Sequence, residues 1–241
     1  MTLPVILLPG SMCDAALFAG QLESLGAAAS VGDLTRSSSI EAMADDVLND
    51  APPVFAIAGL SLGGIVATEV AVQAPERVAG VALLDTNLGL ADEVQQQNRQ
   101  LWGELVRAGH FEQIIKTVDH LTIDAEAHGR AIIEMAARVG PEAFVRQNEA
   151  LLYRRDRRGD LAALNCPVLV LCGRQDELCP PAMHRDIADQ IPHARLEIVD
   201  RAGHLSTIDQ PEELTRLLTQ WLNLCTTNQP MKGTAHEYNQ V

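Results

Sequence analysis

Three residues far apart in the chain have the types needed for nucleophilic acyl chemistry, and each sits in a local pattern suited to its task. Ser61 lies in Gly59-Leu60-Ser61-Leu62-Gly63, between the apolar run Val54 to Ala58 and the helix-like run Ile65 to Ala71. A serine between small residues at a strand-to-helix junction forms a nucleophile elbow, a turn so tight that the serine takes a strained backbone conformation. Gly59, Gly63 and Gly64 supply the room, and the helix N-terminus faces any negative charge that forms beside Oγ. A serine hydroxyl is a poor nucleophile at neutral pH. It needs an imidazole to take its proton and a carboxylate to hold that imidazole. Asp176 follows the strand-like Cys166 to Gly173 in the loop Arg174-Gln175-Asp176-Glu177, and His204 closes Asp200-Arg201-Ala202-Gly203-His204 after the strand-like Ala194 to Val199. Asp85, after Val81 to Leu84, is the second candidate for the acid. Among seven histidines, only His204 has a Gly-His loop setting.

The order serine, aspartate, histidine is that of α/β-hydrolases and differs from the chymotrypsin-like and subtilisin-like orders. From about Leu3 to Leu224 the chain resembles the α/β-hydrolase superfamily, and within it the small serine carboxylesterases. It is similar to pimeloyl-acyl-carrier methyl ester esterases and 3-oxoadipate enol-lactonases. Gly-Leu-Ser-Leu-Gly-Gly, Cys-Pro-Val-Leu-Val-Leu-Cys-Gly-Arg-Gln-Asp and Ala-Gly-His carry the resemblance together. It implies a catalytic set of Ser61, Asp176 and His204. It also implies an oxyanion hole made by two backbone amides, one following the nucleophile and one in the loop after the first strand. By position these are Leu62 and Ser11, with Met12 the alternative to Ser11 in Pro9-Gly10-Ser11-Met12-Cys13-Asp14. Pro9 stands where the family usually has histidine. Cys13 beside this loop is read as a pocket-wall residue rather than a reactive thiol.

Around these residues, strand-like runs near 3–8, 28–34, 54–58, 79–85, 167–172 and 194–199 alternate with helical patterns near 15–25, 40–49, 62–74, 180–190 and 211–224. The alternation predicts an α/β fold with a mostly parallel, doubly wound sheet covered on both faces. The two antiparallel edge strands of the resembled family are not expected. Residues 88–160 lack a good strand and show helical stretches with breaks at Gly103, Gly109, Gly129 and Gly140-Pro141, which the resemblance identifies as a helical cap. The expected organisation is therefore core over 1–87 and 161–224, cap over 88–160, and a disordered tail over 225–241. Met135, Phe111, Phe144, Leu151, Leu152 and Tyr153 either line a pocket or hold the cap together, the second reading being preferred for each. Arg154-Arg155-Asp156-Arg157-Arg158 reads as a solvated turn re-entering the core, with an acidic-substrate handle as the alternative.

Composition sets bounds on partners. A formal net charge of −14 argues against a nucleic-acid partner and gives no basic patch for an anionic membrane. No apolar run is long enough to span a bilayer and no signal sequence opens the chain, so a cytoplasmic protein is expected. Five scattered cysteines suit reduced thiols, and neither metal-ligand spacing nor a nucleotide or nicotinamide motif is present, so neither metal nor cofactor is expected. The reading is a serine hydrolase that cleaves small soluble esters through an acyl-enzyme on Ser61. An enol-lactonase or C–C bond hydrolase on the same triad, or a small-molecule receptor with a vestigial triad, are the alternatives. With aromatic residues at 3%, short acyl chains are expected to be preferred and interfacial activation is not.

Overall fold

The computed structural model describes residues 3–227. Strand β1 (Val5–Leu8) leads to a 3-10 turn and helix α1 (Ala19–Leu25), then β2 (Ala29–Val31), α2 (Ile40–Asp50), β3 (Phe55–Leu60), α3 (Leu62–Gln73) and β4 (Val78–Leu84). Three helices follow: α4 (Glu93–Arg107), α5 (Phe111–Ile115) and α6 (Ala125–Leu152). The chain then returns through β5 (Val168–Gly173), α7 (Pro181–Asp189), β6 (Arg195–Val199), the single turn α8 (Ser206–Asp209) and α9 (Pro211–Thr227). The six strands form one sheet in the order β2-β1-β3-β4-β5-β6, and every pairing is parallel.

The strand sequences explain the sheet's two covered faces. Side chains alternate along a strand, so Val5, Leu7, Ala56, Ala58 and Leu60 join the core on one face, with α1 and α9. Ile6, Leu8, Phe55 and Ile57 join the core on the other, with α2 and α3. Burial on both faces is why these strands read as continuous apolar runs rather than as alternating patterns. Helix α3 passes through the middle and is buried from Leu62 to Ala71, so no polar stripe marks it in the sequence.

Two expectations about breaks and ends are corrected. Gly109 (φ 91°) separates α4 from α5, and Gly140 (φ 82°) breaks α6 before Pro141, but Gly103 and Gly129 lie inside helices. A glycine inside a helix costs only about 1 kcal/mol relative to alanine; at Gly129 a Cβ would press on Asp119 Cβ at 3.1 Å, so the small residue serves packing. The expected tail at 225–241 begins too early. Leu214, Leu217, Leu218, Trp221 and Cys225 form one helical stripe, so α9 continues to Thr227 with Cys225 fully buried. Trp221 Nε1 anchors that stripe by donating to Pro167 O at 3.0 Å. Residues 228–241 of that expectation lie outside the described residues.

The helices between β4 and β5 contribute mainly to the core that also holds α1 and α9. Phe111 and Phe144 meet with ring centroids 6.1 Å apart, and with Met135 they belong to the same core as β1 and β3. Leu151 is buried against the opposite face. Tyr153 is exposed. The arginine cluster after α6 is a solvated turn only in part: Arg155, Asp156 and Arg158 are exposed, but Arg154 is buried, Arg155 pairs with Glu41, and Arg157 pairs with the buried Glu69 of α3. These contacts fasten the end of the helical segment to the sheet domain.

Candidate active site

The junction of β3 and α3 holds Ser61 at φ 55° and ψ −114°. A non-glycine residue at positive φ costs on the order of 1–3 kcal/mol and persists only where its surroundings hold it. Here they do: Ser61 N donates to Leu84 O at 2.9 Å, and Ser61 O accepts from Thr86 Oγ1 at 2.7 Å and from Gly64 N at 3.0 Å. The flanking glycines are a steric requirement. A Cβ on Gly59 would overlap the Gly63 carbonyl, and one on Gly63 would overlap the Leu8 carbonyl. Leu62 opens α3, and its amide is one of the helix's first N–H groups, which have no intrahelical acceptor.

Asp176 and His204 meet across the loops after β5 and β6. Asp176 Oδ1 accepts from Leu178 N at 2.9 Å and Cys179 N at 2.8 Å, which leaves Oδ2 to His204 Nδ1 at 2.9 Å. Both side chains are buried. That bond puts the proton of a neutral His204 on Nδ1 and leaves the Nε2 lone pair available. Gln175 joins the two loops: its N donates to Ala202 O at 2.9 Å, and its side-chain Oε1 accepts from Ala202 N at 3.1 Å. Leu205 N donates to Leu121 O at 3.0 Å, tying the histidine loop to the helical segment.

Asp85, the other strand-end aspartate, has a different set of partners. Its Oδ1 accepts from Gly173 N at 2.8 Å, and its Oδ2 is hydrogen-bonded to Ser206 Oγ. Burial, and then the nearby Asp176 carboxylate, push its carboxyl well above the usual range. Beside it lies His184 of α7, fully buried, whose Nε2 accepts from Thr86 N at 2.9 Å. Burial pushes the imidazole down to about 4, so it is neutral at pH 7. Sequence reasoning passed over His184, which falls inside an ordinary helical pattern.

The loop after β1 closes beside the serine: a Cβ on Gly10 would lie 3.5 Å from Ser61 Cβ. Cys13 N donates to Gly10 O at 3.1 Å, and Met12 takes a positive φ of 60° in that turn. Gln147 of α6, also missed, organises the loop. Its Oε1 accepts from Met12 N at 3.0 Å and Ser11 Oγ at 3.2 Å, while Nε2 donates to Leu34 O at 3.2 Å. A glutamine within the buried stripe of Ala143, Phe144 and Leu151 is the signal that could have found it. Burial pushes the Cys13 thiol up to about 12, so it is not a thiolate nucleophile at neutral pH.

Donor atoms of Asp176, Cys179 and His204 lie within 4.8 Å of one another, so among the described residues this trio has the atom types to hold a metal. Its carboxylate and imidazole are already bonded to each other. No helix among the described residues is long and apolar enough to cross a membrane.

Residues 5–217 match the family model described as "Alpha/beta hydrolase family". A pimeloyl-[acyl-carrier protein] methyl ester esterase of Klebsiella pneumoniae is 32% identical over 187 residues, covering 72% of this chain and 71% of that protein. Among solved structures, a thermophilic esterase from Thermogutta terrifontis, with malate bound, superposes with a TM-score of 0.84 at 28% identity, covering 93% of this chain and 91% of that one. The enol-lactonase from Burkholderia xenovorans LB400 superposes with a TM-score of 0.81 at 22% identity, with 92% of each chain covered, a likeness of fold.

Proposed function

This chain belongs to the alpha/beta hydrolase family, among esterase-type relatives, and we propose that it is a serine hydrolase cleaving small carboxylic esters through an acyl-enzyme on Ser61. The observation that carries the reading is the 2.9 Å bond from His204 Nδ1 to an Asp176 carboxylate that two backbone amides already hold in place. It belongs to a sheet whose central strand ends in a serine at positive φ. Ser61 Oγ attacks the ester carbonyl carbon as His204 Nε2 accepts its proton, and Asp176 stabilises the imidazolium. The Leu62 and Ser11 amides receive the oxyanion, and loss of one such donor costs about 3 kcal/mol in the barrier. Met12 N is engaged by Gln147, which favours Ser11 as the second donor. His204 then returns its proton to the departing alcohol. Water, deprotonated by the same nitrogen, attacks the acyl-enzyme and releases the acid with Ser61 restored.

Methyl esters are the first substrates to try, because the relative of 32% identity is a methyl ester esterase. All five cysteines are free, which suits a reducing compartment and supports a cytoplasmic location. A fluorophosphonate should label Ser61, as read by peptide mass spectrometry. Ser61→Ala should lose the label and fall by about 10⁶ in ester turnover while keeping its melting temperature. An adduct on Cys13, or an active alanine variant, would overturn the assignment.

A further inference from the structure

The loop after β1 is held in a strained form from outside the sheet. Gly10 to Cys13 make a tight turn, closed by Cys13 N donating to Gly10 O at 3.1 Å, and its third residue, Met12, sits at φ 60°. A positive φ at that position alone marks a type II turn, where glycine or asparagine is usual. A methionine there is strained, and turning over the Ser11–Met12 peptide to give the commoner type I turn would relieve it. Something must therefore hold that peptide. Gln147 Oε1 accepts from Met12 N at 3.0 Å, and at the other end of the same peptide Ser11 O accepts from Cys13 Sγ at 3.5 Å. The same Oε1 accepts from Ser11 Oγ at 3.2 Å. Ser11 N has no acceptor among the described residues, as a donor reserved for an oxyanion requires.

Gln147 is itself fixed in place. It is fully buried, and its Nε2 donates to Leu34 O at 3.2 Å in the loop after β2. The preceding Arg146 donates from Nε to the next carbonyl, Thr35 O, at 2.7 Å. Gly32 N, donating to Leu7 O at 3.0 Å, ties that loop to β1, the strand from which the Ser11 loop leaves. Phe144, one turn earlier on α6, packs against Phe111 and sets the helix face from which Gln147 projects. A buried amide is costly unless its bonds are made, and here both of its ends are used. One side chain thus bridges the loops after β1 and β2 from a helix that belongs to the segment between β4 and β5.

We propose that Gln147 is a positioning residue for acyl transfer: by holding the Ser11–Met12 peptide it fixes the Ser11 amide in the oxyanion hole, so that the hole is complete only with the helical segment docked. The proposal rests on the esterase reading above and makes that segment part of the catalytic machinery rather than only a cover. Gln147 acts through the loop and does not touch the substrate.

The test uses p-nitrophenyl butyrate and an alkylboronic acid, which adds to Ser61 Oγ as a tetrahedral anion. Acylation and deacylation both pass through an oxyanion, so kcat reports the hole whichever step limits. Gln147→Met should lower kcat roughly 10- to 100-fold with KM within about twofold, short of the complete loss of a donor. Boronate affinity should fall in step with kcat. Ser11→Ala should lower kcat about fivefold, the worth of one hydrogen bond, and in the double variant it should add nothing to the Gln147→Met loss. Arg138→Met cuts a surface tie between the same helix and the same loop, Nε to Asp14 Oδ2 at 2.8 Å, and should leave kcat within about twofold. Wild-type kcat in Gln147→Met, a loss confined to KM, a Ser11→Ala effect that adds in full, or an equal loss in Arg138→Met would overturn the proposal. Should Gln147→Met fail to fold, Ser11→Ala decides alone, and wild-type kcat in it would overturn the proposal. Each of these results leaves the esterase reading intact. A wild-type protein that turns over no ester and takes no fluorophosphonate on Ser61 would sink both.

Discussion

The loops after β4 and β5 begin alike and end differently. Each leaves a parallel strand at its buried carboxyl end, and each places a buried aspartate there, Asp85 and Asp176. Asp176 lies three residues beyond its strand, in a loop whose own amides, Leu178 N and Cys179 N, satisfy one carboxylate oxygen and leave the other for His204. Asp85 follows its strand directly at φ 44°. Both of its oxygens tie other segments together, Gly173 at the end of β5 and Ser206 beyond the histidine. A strand end therefore supplies only a location. The residues of loop between strand and carboxylate decide whether it orients an imidazole or braces the loop that does. The two roles are complementary, since Asp85 holds the strand end from which the Asp176 loop departs.

The largest effect that could break this contrast is at Asp176. Asp176→Asn should keep the packing but offer His204 Nδ1 an amide, which favours the wrong tautomer and leaves the imidazolium without its counter-charge. Turnover of p-nitrophenyl butyrate should fall by about 10⁴, the scale of the same change in serine proteases. Steady-state kinetics with fluorophosphonate labelling check it, and near-normal turnover would return Asp85 to consideration as the acid.

His184 sits between the two loops and gives a sharper probe of how they are held. Its Nε2 accepts the Thr86 amide, which needs the neutral ring, and Thr86 in turn bonds Ser61 O. Its folded value of about 4 lies below the ordinary 6.5. A histidine depressed in the folded state contributes stability that is fully present above about 6.5 and is lost as pH falls toward 4. The loss is on the order of 3 kcal/mol when complete. Denaturant melts between pH 7 and pH 4 should show it in the wild type, and His184→Gln should remove that part of the slope. An unchanged slope in the variant would place the acid sensitivity elsewhere.

How much of this was legible in the sequence follows from what each residue needs around it. The elbow could be read because its constraint is local: Gly59 and Gly63 fit where any Cβ would overlap backbone. The sheet could be read because strands buried on both faces are runs of apolar residues, and the helices on the outside, such as α2 and α9, carry one apolar stripe each. The acid could be narrowed to two residues, but the choice rests on which carboxylate oxygen faces His204, a contact between residues 28 apart. Gln147 and His184 were hidden because each partners backbone more than 90 residues away, Met12 N and Thr86 N. The end of α9 was misplaced because Cys225 counts as apolar only when its burial against Gly80 is seen.

The smallest expected effect sharpens the contrast from the Asp85 side. Asp85→Asn keeps an oxygen for Gly173 N and offers an N–H to Ser206 Oγ, so the bracing bonds survive without a titrating group. Because one neutral hydrogen bond is worth about 1 kcal/mol, ester turnover should fall less than tenfold, far short of the Asp176→Asn loss. Stability should carry the sign of the raised carboxyl. A group whose folded value lies above its ordinary 3.8 contributes stability that is fully present below that value and is lost as pH rises toward the folded one. The wild type bears that loss near neutrality and the asparagine variant does not. Melting temperatures should therefore be close at pH 4, with the difference moving in the variant's favour as pH rises to 7. A difference moving the other way would mean that Asp85 is ionised in the folded protein and that its bonds to Gly173 and Ser206 depend on that charge.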